Sequence, residues 1–254
     1  MEKNTLFKKN YTIQLRDVDF KKNLKLSSLF HYLQDVALLA VDDLGIGIET
    51  LEEKYDVTWI LIRMRVEIVR NPKWNDEITI ETWPQEPKSV EFARDFIVKD
   101  ENDNIIIKAI SSWVIMDINK RRIRKSAVIA IDYPPIIKNR ALDCVLGKIS
   151  KFDKLEFAFE KFIGYNDIDF NKHLNNTRYI DLIMECFSIH NHTKYNLESF
   201  EINYINEIMH EDTIMIYKDS SNINSNRLYL EGISKNTQKL VFRTLAEVKV
   251  NNYN

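Results

Sequence analysis

Apolar residues recur at Leu26, Leu29, Phe30, Leu33, Val36, Ala37, Ala40, Val41 and Leu44. This i, i+3, i+4, i+7 spacing holds for about five turns and predicts a long amphipathic helix. Gly45 supplies its C-terminal stop. A second stripe runs through Tyr179, Ile180, Ile183, Cys186 and Phe187, with Asn175 or Asn176 as its N-cap. Strand patterns cover 58–69, 78–83, 90–99 and 105–117 in the first half. In the second half they cover 157–163, 199–205, 213–218, 227–234 and 240–250. Residues 100–104 have hairpin-turn composition. Each half therefore reads strand, helix, then several strands with tight turns. That order predicts an α+β fold with antiparallel sheets, not alternating βαβ units.

The halves also resemble each other. Asp17-Val-Asp-Phe-Lys-Lys-Asn-Leu24 aligns without gaps on Asp167-Ile-Asp-Phe-Asn-Lys-His-Leu174, at an offset of 150, with five of eight positions identical. Both octads lie between a first strand and the helix, which marks a tandem duplication. The length alone suits one large domain or two of about 120–130 residues. The repeat resolves it as two: 1–132, a connecting segment at 133–152 containing Pro134-Pro135, and 153–254. The differences within the octads matter. Asn171 and His173 of the second copy stand where the first has Lys21 and Asn23.

Composition removes several classes. The net charge is −2, from 36 Lys+Arg and 38 Asp+Glu, and gives no global reason to expect nucleic acid or an anionic membrane. The five glycines (45, 47, 147, 164, 232) form neither GxGxxG nor GxxxxGK[ST], so the common nucleotide folds are not expected. Cys144 and Cys186, far apart in sequence, fit a reducing compartment. The N-terminus has no apolar signal region, and no run approaches the ~18 apolar residues that would span a bilayer. A cytoplasmic protein without membrane insertion and without a cofactor is expected.

Asp169, Asn171 and His173 alternate immediately before the second helix, which puts them on one side of an extended segment. The helix N-terminus adds unpaired N–H groups and a positive dipole end. Singly, each of the three is an ordinary capping or turn residue. Together, set against a degenerate first copy, they are equipment for hydrolysing an acyl bond. Backbone N–H groups can hold an oxyanion, and a carboxylate and an imidazole can move protons.

The run Asp167-Ile-Asp-Phe-Asn-Lys-His-Leu-Asn-Asn-Thr-Arg-Tyr-Ile180 resembles the active-site loop of the acyl-acyl-carrier-protein thioesterases, tandem hot-dog enzymes of plants and bacteria. Thr58-Trp-Ile-Leu-Ile-Arg-Met-Arg-Val-Glu-Ile-Val-Arg70 and Pro72-Lys-Trp-Asn-Asp76 are similar to that family's Trp-Val-Leu-x-Arg and Pro-x-Trp-Gly-Asp segments, with Asn75 replacing Gly. Arg94-Asp95-Phe96, Ser112-Trp-Val-Ile-Met116 and Arg121-Arg122 match in order. The resemblance implies two tandem hot-dog domains, each a long helix wrapped by an antiparallel sheet, paired edge to edge. It implies release of a free fatty acid from acyl carrier protein, through its acyl-phosphopantetheine arm, in fatty acid biosynthesis. It implies Asp169, Asn171 and His173 as catalytic, with Glu207 as a fourth member on the strand after the helix. The family's Tyr-x-x-Glu-Cys meets Tyr204-Ile-Asn-Glu-Ile208. Ile208 stands where plant members carry a Cys, so a thiol mechanism at that place is excluded. Cys186 lies on the helix stripe and reads as core packing. In the mechanism that follows, the thioester carbonyl points at the second helix near Asn176, and Glu207 and His173 activate a water that Asn171 orients. Asp169 either holds this network or attacks directly to form an anhydride.

By the same resemblance the first domain accepts the acyl chain. Candidate lining residues are Leu29, Leu33, Val36, Ala37 and Ala40, with Trp59 and Leu61 opposite; the alternative for each is plain core packing. Lys120, Arg121, Arg122, Arg124 and Lys125 form a basic run, read either as a solvated turn or as a docking patch for an acidic carrier. His190, His192 and His210 lack the accompanying ligands of a metal site and read as surface residues. Rival readings are an acyl-CoA thioesterase, a hot-dog dehydratase, for which no His-Phe-Pro loop is present, and a non-catalytic acyl-binding protein. A homodimer is left open.

Overall fold

The alternating strand patterns build two antiparallel sheets of the same topology. The computed structural model describes residues 5–129, 131, 135–219 and 226–251. It divides into two compact units, Met1–Leu146 and Gly147–Asn254. The first unit contains β1 (Phe7–Thr12), α1 (Leu26–Asp43), α2 (Ile48–Tyr55), β2 (Val57–Ile68), β3 (Glu77–Pro84), β4 (Phe92–Asp100), β5 (Ile105–Asp117) and β6 (Ile123–Arg124). Its sheet runs β1-β3-β4-β5-β2, with β6 pairing on β5. The second unit contains β7 (Glu156–Phe162), α3 (Asn176–Glu185), α4 (Ile189–Lys194), β8 (Tyr195–Tyr204), β9 (Thr213–Lys218), β10 (Arg227–Ser234) and β11 (Leu240–Val250). Its order is β7-β9-β10-β11-β8. Position for position the two orders are the same, as a duplication requires.

The first unit buries the apolar stripe of α1, with Leu29, Leu33 and Val36 all essentially inaccessible. The helix stops where the pattern predicts. Gly45 takes φ +77° in the left-handed region, and Gly45 and Ile46 donate their N–H groups to Asp42 and Val41 carbonyls. The second helix is shorter than its stripe suggests. α3 has ten residues because Cys186 is already its C-cap, and Ser188 then caps a new turn by accepting the Asn191 N–H. The short helices α2 and α4 carry too little periodicity to be read from sequence.

Residues 137–146, read from sequence as part of the connecting segment, are fastened to the first unit. Asp95 on β4 is fully buried and accepts from Arg140 Nε (3.0 Å to Oδ2) and from the Ala141 N–H (2.7 Å to Oδ1). Trp83 Nε1 donates to the Asn139 carbonyl at 2.9 Å, and Ala141 and Leu142 pack with Trp83 and Ile110. Beyond 146 the chain joins the second unit. The Ile149 N–H donates to Asn203 Oδ1, and Phe152 stacks on Tyr229 at 4.4 Å. Of the segment predicted over 133–152, residues 133 and 134, including Pro134, lie outside the described residues.

Burial pushes the Asp95 carboxyl above its ordinary range, against the opposing pull of the Ala141 N–H and Arg140. Removing Arg140 leaves a buried carboxylate short of its cation. Arg140→Ala is expected to destabilise by about 3 kcal/mol near neutrality, the low end for a broken buried pair because Arg140 is partly exposed. Since the folded-state pKa rises further in the variant, the folded chain binds the proton more tightly than the unfolded one. The penalty therefore shrinks as pH falls through that pKa, which urea denaturation at several pH values will show.

Candidate active site

The loop between β7 and α3 is built around one carboxylate oxygen. Asp169 Oδ1 accepts the backbone N–H of Asn171 at 2.8 Å and that of His173 at 3.4 Å. The Asp169 N–H donates to the His173 carbonyl, closing a tight turn with Lys172 at φ +65°. The turn is tied outward by the Leu174 N–H to the Ile208 carbonyl (3.0 Å) and by the Asn175 N–H to the Asp167 carbonyl (2.9 Å). Thus the loop backbone fixes where Asn171 and His173 stand.

The first unit repeats this scaffold bond for bond. Asp19 Oδ1 accepts the Lys21 and Asn23 N–H groups at 2.8 and 3.0 Å, and the Asp19 N–H donates to the Asn23 carbonyl. Lys22 sits at φ +61°, and the Leu24 N–H donates to the Pro72 carbonyl. In the returning loop, Asn75 and Glu211 occupy matching left-handed positions at φ +70° and +67°. Asn reaches that region at modest cost, which explains why it can replace Gly there.

Identical backbones carry different side chains. His173 Nε2 lies 3.4 Å from Glu207 Oε2; the His173 side chain is mostly buried and the Glu207 carboxylate is about a third exposed. Glu207 is not on β8 but in the connection three residues past its end, so the strand predicted over 199–205 stops at Tyr204. The bond pattern places Asn23 where His173 stands and Asn71 where Glu207 stands, and Asn71 Nδ2 donates to the Leu24 carbonyl at 3.1 Å. Amides stand in the first copy where the second has an imidazole and a carboxylate.

The mouth of α3 completes the site. Asn175 caps it, accepting the Thr177 N–H on Oδ1 (2.9 Å) and the Arg178 N–H on its carbonyl (2.9 Å). Among the described residues the Asn176 N–H has no acceptor, so it is the open donor at the positive end of the helix. Tyr179 and Tyr204 border this turn, and sequence reasoning gave neither a role at the site. Burial, and then the negative charge of Glu207, keep the Tyr179 phenol well above its ordinary pKa.

Residues 4–129 match the model of the acyl-ACP thioesterase N-terminal domain, and residues 154–248 match that of the C-terminal domain. The chain belongs to the acyl-ACP thioesterase family. Among curated relatives it is 27% identical over 226 residues to an oleoyl-acyl carrier protein thioesterase of Coriandrum sativum, covering 82% of this chain and 61% of that one. It is 28% identical over 216 residues to a dodecanoyl-[acyl-carrier-protein] hydrolase of Cinnamomum camphora, covering 80% of this chain and 56% of that one. The chain thus spans about three fifths of the length of such relatives. An acyl-ACP thioesterase structure from Bacteroides thetaiotaomicron superposes with a TM-score of 0.84 at 24% identity, covering 96% and 98% of the two chains. The 12:0-ACP thioesterase of Umbellularia californica does so with 0.82 at 19%, covering 98% and 99%. The tandem hot-dog fold expected of the family is therefore the fold observed.

The remaining sequence candidates of this thioesterase-family chain fall as follows. In the first unit a small open cleft is lined by Ala37, Leu38, Val41, Trp59, Phe92 and Trp113, among others. Ala37 and Trp59 are thus at the cleft, whereas Leu29, Leu33 and Val36 lie in the packed core away from it. Lys120, Arg121, Arg122 and Lys125 are exposed around the β5–β6 turn, while Arg124 is held by Asp117 at 2.7 Å. No metal-binding cluster of His, Cys, Asp or Glu occurs among the described residues, and His192 Nε2 lies 3.0 Å from the Met184 carbonyl. Cys186 is half-buried, and burial pushes its thiol up to about 12.

Because both turns hang on one carboxylate oxygen, Asp19→Ala and Asp169→Ala should destabilise to a similar extent, each by about 1 kcal/mol or somewhat more. Paired thermal melts of the two variants will test this. A cost confined to one copy would contradict a shared structural role.

Proposed function

We propose that this chain hydrolyses the thioester of acyl-acyl carrier protein to a free fatty acid and the carrier thiol in fatty acid biosynthesis. The observation that carries this reading is the His173–Glu207 contact of 3.4 Å near the Asn176 donor, where the twin loop has the amides Asn23 and Asn71. The relatives' names support the substrate class. Asp169, Asn171, His173 and Glu207 form the catalytic set. Glu207 and His173 take a proton from a water that Asn171 orients. The water oxygen bonds to the carbonyl carbon, and the oxyanion forms at the Asn176 N–H. The C–S bond then breaks, and His173 returns a proton to the departing thiolate. Asp169 holds the loop through Oδ1, as Asp19 does in the copy without the chemistry, and fixes a negative charge beside the imidazole. No step requires a cofactor.

The first unit's cleft takes the acyl chain, with Ala37 and Trp59 from the sequence set joined by Leu38, Val41, Phe92 and Trp113. The exposed cations Lys120, Arg121, Arg122 and Lys125 dock the acidic carrier by complementary charge. Cys144 and Cys186 form no disulfide, in keeping with a reducing, cytoplasm-like compartment. No described helix is long and apolar enough to cross a membrane.

Glu207→Gln and His173→Ala should each lower kcat on acyl-carrier substrate by about 10²–10⁴ with the fold intact. Asp169→Asn, whose amide oxygen still accepts both N–H groups, should stay within about tenfold; a loss of about 10³ would make it the base or nucleophile instead. Parallel assays on acyl-CoA should give the lower kcat/KM. Neutralising Lys120, Arg121 and Arg122 should raise KM for the carrier-linked substrate alone, whereas an equal effect on both substrates would sink the docking reading. Separately, Val41→Phe narrows the cleft and should shift the released acids toward shorter chains. Mass spectrometry of fatty acids from an expressing host, beside the Glu207→Gln variant, reads this directly.

A further inference from the structure

The twin loops are an internal control, and they differ at two more places than the hydrolysis uses. Helix α3 starts 150 residues after α1, so Tyr179 corresponds to Leu29. The Leu24-to-Pro72 and Leu174-to-Ile208 backbone bonds set an offset of 136 for the returning strand, so Tyr204 corresponds to Ile68. Both β2 and β8 end at these residues. Two aliphatic residues of the first copy have become tyrosines in the second.

The change has a physical reason. In the first copy Asn71 ties the returning loop to the helix entry by donating to the Leu24 carbonyl. Glu207 stands in its place, and a carboxylate cannot donate to a carbonyl. Gaining the proton-transfer group thus loses the tie. Segment 205–208 lies past the end of β8, and α3 is only ten residues long, too short to be rigid on its own. The tyrosines supply other ties. Tyr204 Oη donates to the Asn176 carbonyl at 3.1 Å, on the residue whose N–H is the open donor. The ring of Tyr204 meets that of Tyr179 edge-on at 5.5 Å. The Ile208 backbone N–H and the Glu207 carboxylate both act on the Tyr179 phenol, in opposite directions. Behind them Phe242 meets Tyr179 at 5.7 Å, in space that exists only because residue 232 is glycine; a Cβ there would overlap the Phe242 ring.

We propose that Tyr204 and Tyr179 are positioning residues for the hydrolysis: together they clamp the first turn of α3 to the Glu207 loop, fixing the oxyanion donor relative to the His173–Glu207 pair. The inference rests on the thioesterase reading above. Misplacing a reacting group by about 1 Å can cost two orders of magnitude, so two hydroxyl ties are enough to show in kcat.

The test is kinetic and structural. Tyr204→Phe and Tyr179→Phe each remove one oxygen and keep the ring. Each should lower kcat about tenfold with KM within about twofold. Tyr204→Ile, the first copy's residue, should lose about 100-fold, of which Tyr204→Phe restores most. In a cycle with Glu207→Gln the losses should fall well short of adding, since a carboxylate already idle gains nothing from being placed. Hydrogen exchange at 174–178 and 205–208 should quicken in Tyr204→Ile with little change elsewhere. Full kcat in both Phe variants, strictly additive losses, a change confined to KM, or unaltered exchange would each overturn the clamp. Wild-type protein that cleaves no acyl thioester would instead overturn the proposed function, and the exchange measurement would still decide the clamp.

Discussion

Both halves of the molecule depend on a carboxylate oxygen that accepts two backbone N–H groups two and four residues ahead of it. Asp19 and Asp169 each turn an extended segment back on itself and deliver it into a helix. The acceptor is charged and the donors are fixed in the turn, so these bonds are stronger than neutral ones. They also decide geometry. The residues that donate, at positions two and four, are held side by side at the entry of the helix. Whatever side chains occupy those positions are placed without further help. In the second copy these are Asn171 and His173; in the first they are Lys21 and Asn23.

Duplication separates the structural requirement from the chemical one. What the two loops share is needed for folding: the aspartate, the left-handed lysine, the carbonyl of the returning loop. What they do not share is free to serve chemistry. Asp169 is shared with the first copy as Asp19, while Asn171, His173 and Glu207 stand where the first copy has Lys21, Asn23 and Asn71. The duplicate bears on an ambiguity that a single site cannot address, because a capping aspartate and a catalytic aspartate look alike in isolation.

Much of this was legible in the sequence because it depends on local pattern. The strands over 105–117, 213–218, 227–234 and 240–250 agree with the observed β5, β9, β10 and β11 to the residue. The α1 stripe and its Gly45 stop were legible for the same reason, as was the octad repeat. What was not legible depends on distant partners. The fastening of 137–146 to the first unit rests on Asp95, more than forty residues away, and on Trp83. A proline-rich, aperiodic stretch gives no sign of it. The end of α3 is set by Ser188 starting a competing turn, not by loss of apolar spacing. The cleft uses the flank of α1 at Leu38 and Val41, not the deepest part of its stripe. Periodicity identifies a buried face, yet the fully buried positions Leu29, Leu33 and Val36 are already filled by protein, and a ligand has to use the margin.

The same packing constrains which atom could attack the thioester in the proposed reaction. A thiol nucleophile needs an accessible, ionisable sulfur. Cys186 is packed on α3, its Sγ lies 3.5 Å from the Leu182 carbonyl, and burial holds it as the thiol far above neutral pH. Cys144 packs against the first unit's Trp83 cluster, outside the loop that carries the polar set. The position after Glu207 is Ile208, 1% exposed, with its carbonyl accepting the Leu174 N–H that holds the loop. The attacking atom is therefore an oxygen. Of the carboxylates at hand, Asp169 has its Oδ1 engaged in the turn, and pulling it onto a substrate would unmake the support of Asn171 and His173. Glu207 meets His173 Nε2 through its Oε2 at 3.4 Å, so in the proposed reaction a proton can pass along that contact. The water attack proposed above, assisted by Glu207 and His173, leaves the backbone bonds of the turn in place.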